Sequence, residues 1–130
     1  MVKRQNISSG THWEDRVGYS RVVRIGNQVF VSGTTATDDA GQVVGADAYE
    51  QARYIFEKIE RSLQVVDAKM QHVVRTTMYV TDASTWEAVG RAHHEFFADV
   101  RPVSTLVEVS ALVGEEYLVE IEVDAIVHDD

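Results

Sequence analysis

Arg101-Pro102-Val103-Ser104-Thr105-Leu106-Val107-Glu108-Val109 and Leu118-Val119-Glu120-Ile121-Glu122-Val123-Asp124-Ala125 decide the reading of this chain. Apolar and polar residues alternate with period two in both stretches, the pattern of strands with one buried face. The second stretch places three carboxylates, Glu120, Glu122 and Asp124, on one face of its strand. Like charges in a row repel and resist burial, so that face is either wet or lines a polar cavity.

Working outward, Tyr19 to Ile25 reads as a strand, turned by Gly26-Asn27 into a second strand from Gln28 to Ser32. Thr34 to Val44 continues the sheet weakly around a turn at Asp38 to Gly41. Asp47 is placed to cap a long helix reaching about Val66, whose Ala52, Ile55, Phe56, Ile59 and Leu63 share one face. Val73 to Val80 alternates as a strand. Ser84 and Glu87 have the spacing of a capping box opening a second helix that runs to about Ala98. Residues 1–18 read as an irregular lead-in to one domain spanning 1–130.

This βββ-α-β-α-ββ order gives an α+β fold with two helices on one face of a sheet. The bare face calls for self-association, because monomers seldom expose so much apolar surface.

Composition bounds the function. The chain has 130 residues, 45% of them hydrophobic, enough for one packed core. No apolar run approaches the roughly 18 residues that a membrane span needs. With no signal-peptide-like segment either, a cytoplasmic protein without membrane association is expected. There is no cysteine, which excludes disulfides, a thiolate nucleophile and cysteine-based metal centres. A net charge of −9 and scattered basic residues oppose nucleic-acid binding. His93 and His94 are adjacent on a helix and point about 100° apart, so no metal is expected there. Trp13 and Trp86 read as plugs of core or interface gaps.

Tyr19, Ser32-Gly33, Val107-Glu108-Val109 and Glu120-Ile121-Glu122, in this order and spacing, resemble the Rid family. These YjgF-like proteins are small imine/enamine deaminases that also carry the endoribonuclease L-PSP label. The resemblance implies a chorismate-mutase-like homotrimer, without cofactor, whose sites lie in clefts between subunits. It implies a cleft lined by Tyr19, Ser32, Gly33, Ser104, Leu106 and Glu120, with Glu120 positioning water. It also implies two losses: the family's carboxylate-binding Arg falls on Ser104 and its Asn on Gly90. Arg21 shares strand parity with Tyr19 and is the expected replacement, ahead of Arg91. Arg101 precedes a proline and has the wrong strand parity. The expected activity is hydrolytic deamination of a reactive imine or enamine. A non-catalytic trimer that binds a small metabolite is the alternative, and an endoribonuclease stands third.

Overall fold

The computed structural model describes residues 2–129. Its strands are β1 (Arg4–Ile7), β2 (Val22–Ile25), β3 (Gln28–Thr34), β4 (Val73–Val80), β5 (Val103–Glu108) and β6 (Val119–Ile126). Its α-helices are α1 (His12–Val17), α2 (Ala48–Val65) and α3 (Trp86–Phe97). The strands form one sheet in the order β1-β2-β3-β6-β4-β5. Only β4 and β5 pair in parallel, joined through α3.

The last strand explains the layering. Val119, Ile121, Val123 and Ala125 of β6 are buried, while Glu120, Glu122 and Asp124 alternate with them on the other face. Val29 and Val31 of β3 and Met78 and Val80 of β4 extend the buried face. Ile55, Phe56, Ile59 and Leu63 of α2, with Val89, Ala92 and Phe97 of α3, complete the same core. Phe56 meets Phe97 edge-on with ring centroids 5.4 Å apart. The α+β fold with two long helices on one sheet face is therefore observed.

Local signals acted as expected at two points. The Asp47 side chain accepts from the Glu50 amide at 2.8 Å and starts α2. Ile25 pairs with Gln28 across the two-residue turn, and Gly26 adopts the φ of 58° that its first position demands.

Three expectations fail. Residues 1–18 are not irregular: β1 pairs antiparallel with β2, and α1 follows it. Arg4–Ile7 carries no alternation because β1 is an exposed edge strand, ordered by its long-range ladder. Thr34 to Val44 does not continue the sheet; Thr37 and Val43 form one isolated bridge around the expected turn. The Ser84/Glu87 capping box is not made. Asp82 takes both the amide and the hydroxyl of Ser84, and α3 starts after a short 3₁₀ turn over Ala83–Thr85. Trp13 and Trp86 are about half exposed, so neither fills this chain's core.

Among the described residues, no helix is long and apolar enough to cross a membrane.

Candidate functional site

Glu120 stands on β6, on the face away from the helices and opposite Tyr79 of β4. Its neighbour on β3 is Gly33, so close that a Cβ there would run into the Glu120 carboxyl. Glycine at this position is what lets the carboxyl lie against the β3 backbone, next to the irregular pairing between Val31 and Thr34.

Arg21 joins the same group. Its guanidinium donates to the Gly33 carbonyl at 2.8 Å and to the Thr34 hydroxyl at 3.3 Å. It lies 5.8 Å from the centre of the Tyr19 ring and 3.7 Å from the buried carboxylate of Glu14. The Glu14 carboxylate also gathers Ser8, Ser9 and Thr11, fixing the segment that leads into α1. Ser32 is tied to the same corner, its hydroxyl donating to the Ser20 carbonyl at 2.6 Å. Tyr19, Arg21, Ser32, Gly33 and Glu120 are thus brought together. Arg21 spends its hydrogen bonds on the Gly33 carbonyl and the Thr34 hydroxyl, so it reads as a brace for this corner of β3.

The three carboxylates of β6 have different environments. Burial pushes the Glu120 carboxyl above the usual range; the Arg21 charge opposes this and the Glu122 charge adds to it. Among the described residues no hydrogen-bond donor reaches Glu120. Glu122 instead accepts from the Tyr79 hydroxyl at 2.6 Å. Asp124 is also raised, first by burial, with the Arg75 charge acting against it and Glu122 reinforcing it.

Ser104 and Leu106 do not lie with Glu120. Ser104 is paired with Thr76 and Leu106 with Met78, both buried residues of β4 that face the helices. Ser104 accepts from the Thr76 hydroxyl at 2.8 Å, and Thr76 is 2.8 Å from Nε2 of His93 on α3. Burial, and to a lesser degree the neighbouring His94, lower the pKa of His93. Ser104 therefore belongs to a second region, beside a pocket of about 380 Å³ lined by Gly90, His93, His94, Phe97, Arg101 and Pro102.

The parity argument against Arg101 fails here. β5 starts at Val103, and Arg101 sits before it in a left-handed turn with φ 56°. Strand alternation does not govern where such a side chain goes. Arg91 is instead stacked over Tyr49, 4.3 Å from the ring centre. Among the described residues no three His, Asp or Glu side chains cluster as metal ligands would.

The sequence reading missed Lys58. Its ammonium donates to the carbonyls of Thr35 and Thr37, both at 2.8 Å. Burial, then the charges of Arg21 and Arg61, push its pKa down to about 8. Its place on α2 among the core positions gave only an exposed-face signal.

The family model described as endoribonuclease L-PSP matches residues 11–127. An uncharacterized Streptomyces coelicolor protein, SCO2049, is 35% identical over 121 residues, covering 93% of this chain and 90% of its own. The 2-iminobutanoate/2-iminopropanoate deaminase of Salmonella typhimurium is 29% identical over 111 residues, covering 83% and 84% of the two chains. Rv2704 of Mycobacterium tuberculosis, a member of the YjgF/YER057c/UK114 family, superimposes with a TM-score of 0.89 at 46% identity. That match covers 96% of this chain and all of the other.

Proposed function

Because the chain belongs to the endoribonuclease L-PSP family, the Rid or YjgF-like proteins, we propose that it hydrolyses a reactive imine or enamine with Glu120 as acid and base. The observation that carries this reading is the Glu120 carboxyl itself: half-buried, raised in pKa, without a hydrogen-bond donor among the described residues and facing a glycine. Burial and the Glu122 charge favour the protonated form of Glu120, while Glu122 is held by Tyr79.

Protonated Glu120 donates to the imine nitrogen and makes the C=N carbon electrophilic. Its conjugate base then orients water, which adds to that carbon. The resulting carbinolamine expels ammonia and leaves a carbonyl, with Glu120 returning to its starting state. No cofactor enters the balance. A neighbouring Salmonella relative bears the name of an imine deaminase, which supports this reaction class.

The two separate regions on one chain, one around Glu120 and one around Ser104, support assembly as a homotrimer. In that assembly the Glu120 face of one subunit meets the α3–β5 pocket of another, and the uncovered sheet face is buried. Residues proposed for the cleft are Tyr19, Ser32, Gly33, Ser104 and Leu106, with Arg21 bracing its wall.

The test is keto-acid release from short-lived imino acids generated by an amino-acid oxidase, comparing native protein with Glu120→Gln. Acceleration by the native protein alone is expected. Equal rates for both proteins exclude Glu120 as the acid and base. No acceleration by either favours the binding reading, which rests on the neutral Ser104 and Gly90 at the two positions where the family resemblance puts polar ligands to the substrate.

A further inference from the structure

We propose that His93 is a ligand-binding residue of the α3–β5 pocket, where its Nδ1 accepts a hydrogen bond from an uncharged N–H group on a small, largely apolar compound. Identifying that N–H with the nitrogen of an imine or enamine rests on the deaminase reading, whereas the acceptor site stands on its own geometry.

Proton counting fixes the ring. The buried Thr76 hydroxyl has one proton and gives it to Ser104 Oγ at 2.8 Å. The 2.8 Å contact between Thr76 Oγ1 and His93 Nε2 must therefore be donated by the nitrogen. Burial, and then the neighbouring His94, hold the imidazole in its neutral form. A neutral ring with its proton on Nε2 carries a bare lone pair on Nδ1. Phe97 and Phe56 pack against the ring, with centroids 4.8 Å and 5.7 Å away, and keep its plane in place.

The lone pair is open. Nδ1 has no hydrogen-bond partner among the described residues, where no buried side-chain nitrogen or oxygen lacks one, so Nδ1 reaches solvent. The open space that His93 lines is the pocket of about 380 Å³, within the range of small-molecule sites. Beside Gly90 that space is empty to 4 Å from where a Cβ would stand, and Phe97, Ala98 and Pro102 offer an apolar wall.

The charges around the ring select the ligand. His94 and Arg101 share the pocket wall and oppose a cation there. α2 presents Phe56 and β4 presents Thr76, both uncharged. In the proposed trimer the β6 face of the partner subunit brings Glu120, Glu122 and Asp124 towards this pocket, which opposes an anion. An uncharged donor satisfies both sides.

The experiment is nuclear magnetic resonance on histidine-labelled protein, titrated with hexanamide and with N,N-dimethylhexanamide, which lacks the N–H. Native protein, His93→Gln and His93→Phe are compared; Gln retains a donor for Thr76, Phe retains the ring packing, and melting temperatures verify both folds. In native protein the His93 Nδ1 signal should be that of an unprotonated nitrogen, and hexanamide should bind about two- to tenfold tighter than its dimethyl analogue. Both variants should lose that ratio. Protonation turns Nδ1 into a donor, so the native ratio should fall towards one as pH drops through the lowered His93 pKa, while the variants stay flat. A proton on Nδ1 in the neutral ring overturns the assignment. So does a ratio that both variants keep, or a native protein that binds neither amide. If the ratio depends on His93 and no imine is hydrolysed, only the deaminase reading falls. Imine hydrolysis without a His93-dependent ratio removes this assignment alone.

Discussion

A double-mutant cycle on Gly33 and Glu120 tests the closest contact of the site without assuming any activity. Gly33 does not have a positive φ, so alanine is allowed by the backbone there. Replacing glycine by alanine in a compatible conformation stabilises by about 0.4–1 kcal/mol, through the entropy of the unfolded chain. The new Cβ, however, must displace the Glu120 carboxyl, and forcing that side chain off its rotamer costs about 0.5–1.5 kcal/mol. Gly33→Ala alone should therefore come out near neutral. In a Glu120→Ala background the obstacle is gone, and the same substitution should stabilise by the full 0.4–1 kcal/mol or so. The expected coupling is about 0.5–1.5 kcal/mol, above the roughly 0.3–0.5 kcal/mol scatter of independent sites. Urea unfolding followed by circular dichroism, at one fixed protomer concentration, gives all four free energies. Coupling within that scatter refutes the placement of Glu120 against Gly33.

Two further predictions concern buried charges. Glu14 accepts from Ser8, Ser9 and Thr11; burial raises its pKa, but the combined hydrogen bonds outweigh this and hold it below the usual range. Glu14→Gln should cost about 1.5–3 kcal/mol at neutral pH in urea unfolding. Because the folded pKa is lowered, that stabilisation is present above the ordinary glutamate range and fades as pH falls through the folded value, so native and variant should converge in acid. Lys58 works the other way: with its folded pKa pushed down to about 8, the unfolded chain binds the extra proton from there up to the ordinary lysine value near 10.4. Native stability should gain a rising contribution across that window which Lys58→Met lacks, and equal slopes in the two proteins would contradict the burial of Lys58.

The sheet was legible where side-chain period and burial coincide. Each alternate residue of β6 from Val119 to Ala125 is buried, so the sequence pattern is the packing pattern. α2 was legible for the same reason at helical spacing, with Asp47 marking its start. β1 was not, because an edge strand written Arg-Gln-Asn-Ile is ordered by its partner rather than by its own alternation. The capping box at Ser84 was a local signal lost to a competitor one step away, since Asp82 reaches the Ser84 amide first. The parity argument did not apply to Arg101, which stands outside a strand. Only a backbone angle, invisible in sequence, shows that the chain turns left-handed there.

Three carboxylates on one strand face would by themselves be a poor guide to chemistry, and their neighbours separate them. Glu122 is tied to Tyr79, whose own pKa the contact raises, so this pair is a closed hydrogen bond. Asp124 has the Arg75 charge beside it in a small polar hollow. Glu120 alone combines burial, a glycine in place of a packing side chain and the absence of a donor among the described residues. Arg21 sits close enough to limit how far that pKa rises, yet donates its hydrogen bonds to β3 instead of to the carboxyl. A direct Arg21–Glu120 ion pair would hold the carboxylate charged, and moving Arg21 away would leave burial unopposed. Glu14 lies 3.7 Å from the Arg21 guanidinium and holds its other side.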